Sequence, residues 1–222
     1  MYSLQNLDII GYDGAAIPNT YFKLEETDEK AAIVFPGRGY TSQGPLLHYT
    51  ISLLLKNRIN VLSVDYQYFN NQEYEALDWE EKRKWLFYDV GEAFKALVDY
   101  TNRDIDIMVG KSLGTLAMGY LLDRFTAARR ATAIWHTPLL KQAELTRQIH
   151  KHHPRSLFVI GTRDPHYDDE ILETVKRVTR GKTQVIENAN HSMEVPGDVE
   201  DSINIILRVV DGIRNFLWPV DK

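Results

Sequence analysis

Short apolar runs alternate with longer amphipathic segments along most of this chain. The apolar runs are typical of buried β-strands and lie at 31–35, 61–66, 105–109, 131–135, 156–160 and 183–187. The longer segments predict helices at 46–56, 79–100, 112–125, about 141–152, 168–180 and 199–216. In the longest of them, Trp85, Val90, Phe94 and Leu97 recur at helical spacing.

The N-terminal region differs from this pattern and predicts strands without a helix between them. Leu4–Ile10 and Thr20–Leu24 predict a hairpin or a pair of strands, with a turn signal at Asp13-Gly14. Strands that alternate with crossover helices predict the α/β class: a three-layer α/β/α sandwich around a mostly parallel central sheet of about seven strands. Ligands in such sheets bind at the carboxyl ends of the strands, where the chemistry should be sought.

Composition narrows the choice of function. We find no repeat, low-complexity segment or linker, so residues 1–222 are interpreted as a single domain. The chain has no cysteine, which excludes disulfides, thiolate metal sites and a cysteine nucleophile. The net charge of -5 does not indicate nucleic-acid or membrane partners. The first residues do not resemble a signal peptide and no apolar run is long enough to span a bilayer, so a cytoplasmic location is expected.

The segment Gly110–Gly114, GKSLG, permits two interpretations. A phosphate-binding loop of the G-x-x-x-x-G-K-[ST] type needs a glycine where this chain has Ile105, and the strand before Gly110 leaves no loop to surround a phosphate. The G-x-S-x-G pattern of a serine hydrolase fits, because a predicted strand enters it and a predicted helix leaves it. We therefore expect a strained strand-to-helix turn that presents Ser112 as a nucleophile.

A serine nucleophile needs a base, and the base needs an orienting acid. Asp164 follows a predicted strand at the carboxyl edge of the sheet, and His191 follows the next one. Asp168 and Asp169 compete with Asp164, but they begin a predicted helix, where carboxylates act as caps. The chain order of serine, aspartate and histidine is the order found with G-x-S-x-G motifs in α/β sheets.

The motifs FPGRG, VGKSLG, GTRD and NANH, in this order, resemble the α/β-hydrolase superfamily over nearly the whole chain. The resemblance implies that Ser112 is the nucleophile, that His191 is the general base and then acid, and that Asp164 orients it. It also implies an oxyanion hole formed by two backbone N–H groups, those of Leu113 and Arg38. The family often has His-Gly where this chain has Pro36-Gly37, which changes the loop but not the backbone donor.

Several further side chains are candidates for the substrate pocket, each with a structural alternative. The side chains of Arg38 and Lys111 either meet an anionic substrate group or point to solvent. His136 either lines the pocket or is structural, and aromatic residues after strand ends either wall the pocket or belong to the core. The candidate pocket residues are Gly37, Tyr40, Lys111 and His136.

Three histidines in IHKHH, at positions 150, 152 and 153, suggest a metal site only weakly. No carboxylate lies nearby at a suggestive spacing, so a solvated helix end is favoured. We predict neither a metal nor another cofactor.

The short spacing after Trp135 limits what can cover the site. Only about 20 residues separate this strand from the next, so no full cap domain fits, although Asn70–Glu81 could cover the site in part. We expect a small open-topped pocket and a serine esterase that hydrolyses a small ester or thioester substrate. Peptidase or acyltransferase chemistry, or a binding protein that retains the fold, are the alternatives, and a homodimer is left open.

Overall fold

An eight-stranded β-sheet forms the centre of the protein in a computed structural model that describes residues 1–27 and 29–219. The strands lie in the order β1-β2-β4-β3-β5-β6-β7-β8. β1 and β2 pair antiparallel, β2 pairs antiparallel with β4, and all other neighbours are parallel. The strands are β1 (Tyr2–Gln5), β2 (Asn19–Leu24), β3 (Lys30–Phe35), β4 (Ile59–Val64), β5 (Ile107–Lys111), β6 (Thr132–His136), β7 (Ser156–Gly161) and β8 (Lys182–Ile186).

Helices cover both faces of the sheet, so the predicted three-layer α/β fold is confirmed. α1 and α7 pack on one face, and α3, α4, α5 and α6 pack on the other. Within the described residues the helices are α1 (Pro45–Lys56), α2 (Gln72–Ala76), α3 (Trp79–Thr101), α4 (Leu113–Arg124), α5 (Ala143–His152), α6 (Asp169–Thr179) and α7 (Val199–Leu217). None of these helices combines the length and apolarity needed to cross a membrane.

Side-chain alternation divides the interior into two cores. In β3, Ile33 and Phe35 face the α3–α6 layer, while Ala32 and Val34 face α1 and α7. Such fully buried strands are apolar at successive positions because both faces of the sheet are covered. This explains why continuous apolar runs in the sequence predicted them.

The first strand is shorter than the sequence predicted. β1 ends at Gln5, so the expected strand over Leu4–Ile10 is wrong beyond that residue. The side chain of Asn19 accepts a hydrogen bond from the N–H of Leu7 and donates one to its carbonyl, each at 2.9 Å. The side chain of Asn19 thus forms the hydrogen bonds that a neighbouring strand would otherwise form. The chain then turns back through residues 9–17.

Asp89 of α3 anchors this N-terminal turn. Its Oδ1 accepts from the N–H of Tyr12 at 2.8 Å, and its Oδ2 accepts from the hydroxyl of Tyr68 at 2.7 Å. The residue is only 3% exposed, and burial raises the pKa of its carboxyl to about 6 despite both hydrogen bonds. Three distant segments therefore meet at one desolvated carboxylate.

Asp89 should make stability depend on pH. Because its pKa is raised in the folded protein, the folded state binds the proton more tightly between pH 3.8 and about 6. Its contribution is therefore most favourable below this window and falls by about 3 kcal/mol as the pH rises through it. In urea unfolding, Asp89→Asn should gain stability relative to wild type by this amount between pH 3 and pH 7.

A matched control is Asp99→Asn, an exposed aspartate on the same helix. Its difference from wild type should stay nearly constant over the same pH range. A constant difference for Asp89→Asn as well would contradict the assigned shift.

Candidate active site

Ser112 lies at a sharp turn between the end of β5 and the start of α4. Its backbone has φ 52° and ψ -113°, a conformation that is strained for a residue with a side chain. The N–H of Ser112 donates to the carbonyl of His136 at 3.0 Å, and its own carbonyl accepts from the N–H of Thr115 at 2.8 Å. These bonds hold the turn in the strained form that a nucleophile elbow requires.

The two glycines of the motif allow the backbones around this turn to approach closely. A Cβ on Gly110 would lie 2.5 Å from the carbonyl oxygen of Gly114. A Cβ on Gly114 would collide with the carbonyl of Phe35 at the end of β3. The motif therefore fits α4 directly against the strands that carry the site.

The structure brings together the three residues that the sequence singled out for catalysis. The Nε2 of His191 lies 2.8 Å from the hydroxyl oxygen of Ser112. The Nδ1 of His191 lies 2.7 Å from Oδ2 of Asp164. The Asp164 side chain is fully buried, whereas that of His191 is 31% exposed. A serine, an imidazole and a carboxylate thus form one hydrogen-bonded chain that opens to solvent at the histidine.

One backbone bond joins the loop of the acid to the loop of the histidine, and a second closes the acid loop itself. The N–H of Arg163 donates to the carbonyl of Ala189 at 3.0 Å, and the N–H of Asp164 donates to Gly161 at 3.1 Å. The side chain of Asn190 accepts from the N–H of Ser192 at 2.8 Å and so turns the chain just after His191. We call residues 187–198 the histidine loop.

The two competing aspartates have other partners. Asp168 caps α6 through a 3.0 Å hydrogen bond from the N–H of Ile171. Asp169 accepts from the hydroxyl of Tyr167 at 3.1 Å. Their positions agree with the capping role that the sequence indicated.

Residues 36–44, which follow β3 and which we call the oxyanion loop, pass directly beside the serine. A Cβ on Gly37 would lie 3.3 Å from the Cβ of Ser112, so there is little room for a side chain at position 37 beside the serine. Leu113 begins α4, and a first helical residue has no intrahelical acceptor for its N–H. Among the described residues, the N–H of Arg38 also has no acceptor.

Two side chains from the neighbouring strand end fix this loop. The hydroxyl of Tyr66 donates to the carbonyl of Pro36 at 2.7 Å. The carboxylate of Asp65 accepts from the N–H of Ser42 at 3.0 Å and from its hydroxyl at 2.9 Å. The backbone beside Ser112 is therefore held at both ends.

The Arg38 side chain does not lie free beside the serine. It forms an ion pair with Glu75 of α2, which also accepts from Lys82 through its backbone carbonyl at 3.0 Å. Phe69 lies 3.6 Å from the position that a Cβ on Gly39 would take and is 63% exposed. Residues 69–76 therefore border the oxyanion loop.

Lys111, the residue before the serine, is buried rather than open to a pocket. It is 3% exposed, and its Nζ donates to the backbone carbonyl of His191 at 3.2 Å. The same ammonium lies 4.5 Å from the centre of the Tyr40 ring. Burial lowers the pKa of Lys111 to about 8, although the charges of Asp164 and Glu194 oppose this change.

His136 belongs to the core, which is the structural alternative of the two that the sequence left open. It is fully buried, and its Nε2 lies 3.2 Å from the hydroxyl oxygen of Thr50 on α1. Burial, with a smaller effect of the Lys111 charge, lowers the pKa of His136 to about 3. A neutral imidazole therefore packs between the sheet and α1.

A groove of about 770 Å³ lies between α1, the histidine loop and α7. Of the four predicted pocket residues only Tyr40 lines it, together with Ser192 and Glu194 of the histidine loop. The sequence did not indicate the other wall of this groove, which is the outer face of α7. The available signal was that α7 is apolar on two faces: Ile205, Val209 and Ile213 face the core, while Val199, Ile203 and Leu207 are exposed.

The side chains of two of the three histidines of IHKHH have protein partners. His150 contacts the carbonyl of Thr146 through Nδ1, and His152 contacts Asp123 through Nε2, each at 2.7 Å. Within residues 1–27 and 29–219, no group of three His, Asp or Glu side chains is placed to hold a metal ion.

Comparison with solved structures identifies the fold as that of the α/β-hydrolases. A serine hydrolase without a lid from Xanthomonas campestris has a TM-score of 0.66 at 14% identity, over 100% of this chain and 97% of its own. An esterase from Pyrococcus furiosus has a TM-score of 0.70 at 14% identity, over 97% and 92%. Est1E from Butyrivibrio proteoclasticus has a TM-score of 0.63 at 15% identity, over 96% and 99%. No family model and no curated protein sequence matches significantly.

The close packing at the turn predicts opposite effects for two glycine substitutions. Gly114→Ala should lower the free energy of unfolding by about 3 kcal/mol, because its Cβ has no space beside Phe35. Gly91→Ala in α3 should raise it by about 0.5–1 kcal/mol, since its Cβ would meet nothing closer than 3.7 Å and alanine favours a helix. Urea unfolding of both variants tests this, and equal effects would contradict the packing argument.

Proposed function

We propose that this protein is a serine hydrolase that cleaves a small carboxylic ester or thioester through an acyl-enzyme. The hydrogen-bonded chain from Asp164 through His191 to Ser112 carries this proposal, because it joins a nucleophile, a base and an orienting acid. The resemblance in fold to enzymes described as esterases and serine hydrolases supports it.

Attack begins when the imidazole removes the hydroxyl proton. His191 Nε2 accepts the proton of Ser112 while Oγ adds to the substrate carbonyl. Asp164 keeps the Nδ1 proton directed at its own Oδ2 and stabilises the imidazolium. His191 then donates its new proton to the leaving oxygen or sulfur, and the acyl group stays on Ser112.

Water completes the cycle by the same proton path. His191 removes a proton from water as the water oxygen attacks the acyl-enzyme, and it then returns a proton to Ser112. The buried side of the triad stays dry, while the exposed part of His191 lets water and the leaving group exchange. This sequence requires no metal or organic cofactor.

The backbone N–H groups of Arg38 and Leu113 are the proposed donors to the tetrahedral oxyanion. Neither N–H group has a hydrogen-bond acceptor among the described residues, and the dipole at the N-terminal end of α4 favours a negative charge there. Losing one donor of this kind typically raises the barrier by about 3 kcal/mol. Since the hole is backbone, the side chain at position 38 is not required for it.

The architecture above the serine favours small substrates. Between β6 and β7 the chain forms α5, and this helix packs against α4 in the layer on one face of the sheet. The short segment at 69–76 borders the oxyanion loop through Phe69 and Glu75. We therefore propose an open site that accepts short acyl esters better than long-chain triglycerides.

Fluorophosphonate labelling together with hydrolysis of p-nitrophenyl acetate, butyrate and octanoate tests the proposal. Wild type should be labelled and should hydrolyse the shorter esters, and Ser112→Ala should lose both properties. Asp164→Asn should keep the fold and lose about 10⁴-fold in kcat, because the imidazole then takes the wrong tautomer. Folded wild type that neither labels nor hydrolyses would indicate a binding protein, and a preference for amides or alcohol acceptors would indicate peptidase or acyltransferase chemistry.

Arg38→Ala separates the backbone donor from the side chain. The ion pair with Glu75 is largely exposed, so its loss should change kcat/KM by less than about fivefold. Glu75→Gln breaks the same pair from the other side and should behave alike. A hundredfold fall in Arg38→Ala alone would show that the guanidinium takes part in the reaction.

A further inference from the structure

Lys111 lies next to Ser112 in the chain and contacts both the histidine loop and the oxyanion loop, although it has no role in the proposed mechanism. It is covalently joined to Ser112 at the end of β5. Its ammonium donates to the backbone carbonyl of His191, the very residue whose ring must face the serine. It also lies against the ring of Tyr40 in the oxyanion loop.

The position itself is unusual for a lysine. Side chains of β5 alternate between the two cores, and Val109, two residues earlier, is buried in the core of α1 and α7. Position 111 continues this inward-facing series, where an aliphatic residue would be expected. A buried ammonium is costly to desolvate, and here its contacts are one carbonyl and one aromatic face.

We propose that Lys111 is a positioning residue. Its ammonium holds the backbone of the histidine loop and the Tyr40 ring of the oxyanion loop in place relative to Ser112. The expected effect of Lys111 on kcat rests on the proposed function, whereas its anchoring of the two loops rests on geometry alone. Lys111 does not touch the reacting atoms, and it acts through His191 and Tyr40.

Charge is essential to both contacts. A carbonyl binds a charged donor more strongly than a neutral one, and an aromatic face attracts only the cation. The groups that face the ammonium are Asp164, His191 and Glu194 from the two loops, Tyr40 from the oxyanion loop and His136 from β6. With its pKa lowered to about 8, Lys111 is charged below that pH and loses the charge above it. Activity should therefore fall as the pH rises through 8.

The test compares Lys111→Met, Lys111→Arg and Lys95→Met, an exposed lysine of α3 that controls for net charge. Lys111→Met should be at least as stable as wild type at pH 7, because it replaces a buried charge with an apolar side chain. Its kcat for p-nitrophenyl acetate, per fluorophosphonate-titrated site, should nevertheless fall about 10- to 100-fold with little change in KM. Lys95→Met should match wild type.

The pH profile of the fluorophosphonate labelling rate gives the second measurement. Wild type should lose rate as the pH passes 8, Lys111→Met should lack this decline, and Lys111→Arg should shift it to higher pH because a guanidinium stays charged. Lys111→Arg should also recover part of the lost kcat. A decline at the same pH in all three proteins would overturn the proposal, as would full activity in Lys111→Met. If Lys111→Met does not fold, the profile of Lys111→Arg decides by itself.

Hydrogen exchange separates this inference from the proposed function. Amides of the histidine loop should exchange faster in Lys111→Met than in wild type, whether or not the protein hydrolyses esters. Inert wild type with faster exchange in the variant would defeat the hydrolase proposal and keep the anchoring role. Unchanged exchange together with unchanged kinetics would defeat the anchoring role.

Discussion

The close contact between the end of β3 and the beginning of α4 is the constraint on which the site depends. Gly114 can lie against the carbonyl of Phe35 only because it has no side chain. This contact forces the chain to reverse direction at Ser112 and places the oxyanion loop beside it. The loops carrying Asp164 and His191 leave the same edge of the sheet, and the imidazole of His191 lies 2.8 Å from the hydroxyl oxygen of Ser112.

Buried polar groups at this edge replace part of the apolar core. Lys111 and His136 occupy strand ends that face α1 and α7, where the preceding residues are aliphatic. Each burial is unfavourable for the charged form, as the lowered pKa values of both groups show. Aliphatic side chains at these two positions would make the interior more stable. This loss of stability occurs next to the site and not at the earlier positions of the same strands.

Sequence patterns predicted the α/β fold class and the helix positions because those features depend on local periodicity. The same patterns overestimated β1, where the side chain of Asn19, rather than a strand, bonds to Leu7. They also left His136 undecided, since a polar residue at a strand end looks the same whether it faces solvent or a helix. The groove escaped notice because exposure of one α7 face depends on packing between distant segments. The candidate triad was identifiable because motif spacing and chain order are properties of the sequence itself.

The geometry at position 38 has a consequence for how such a protein can change over time. The proposed mechanism uses the backbone N–H of Arg38, whereas its guanidinium forms an ion pair with Glu75. In the proposed mechanism, one residue thus has two independent roles through different atoms. Substitutions at this position can change the charge or size of the side chain, while the peptide group that the proposed mechanism uses remains. Under the proposed function, selection or engineering can therefore vary the side chain at position 38 while the proposed reaction at Ser112 is retained.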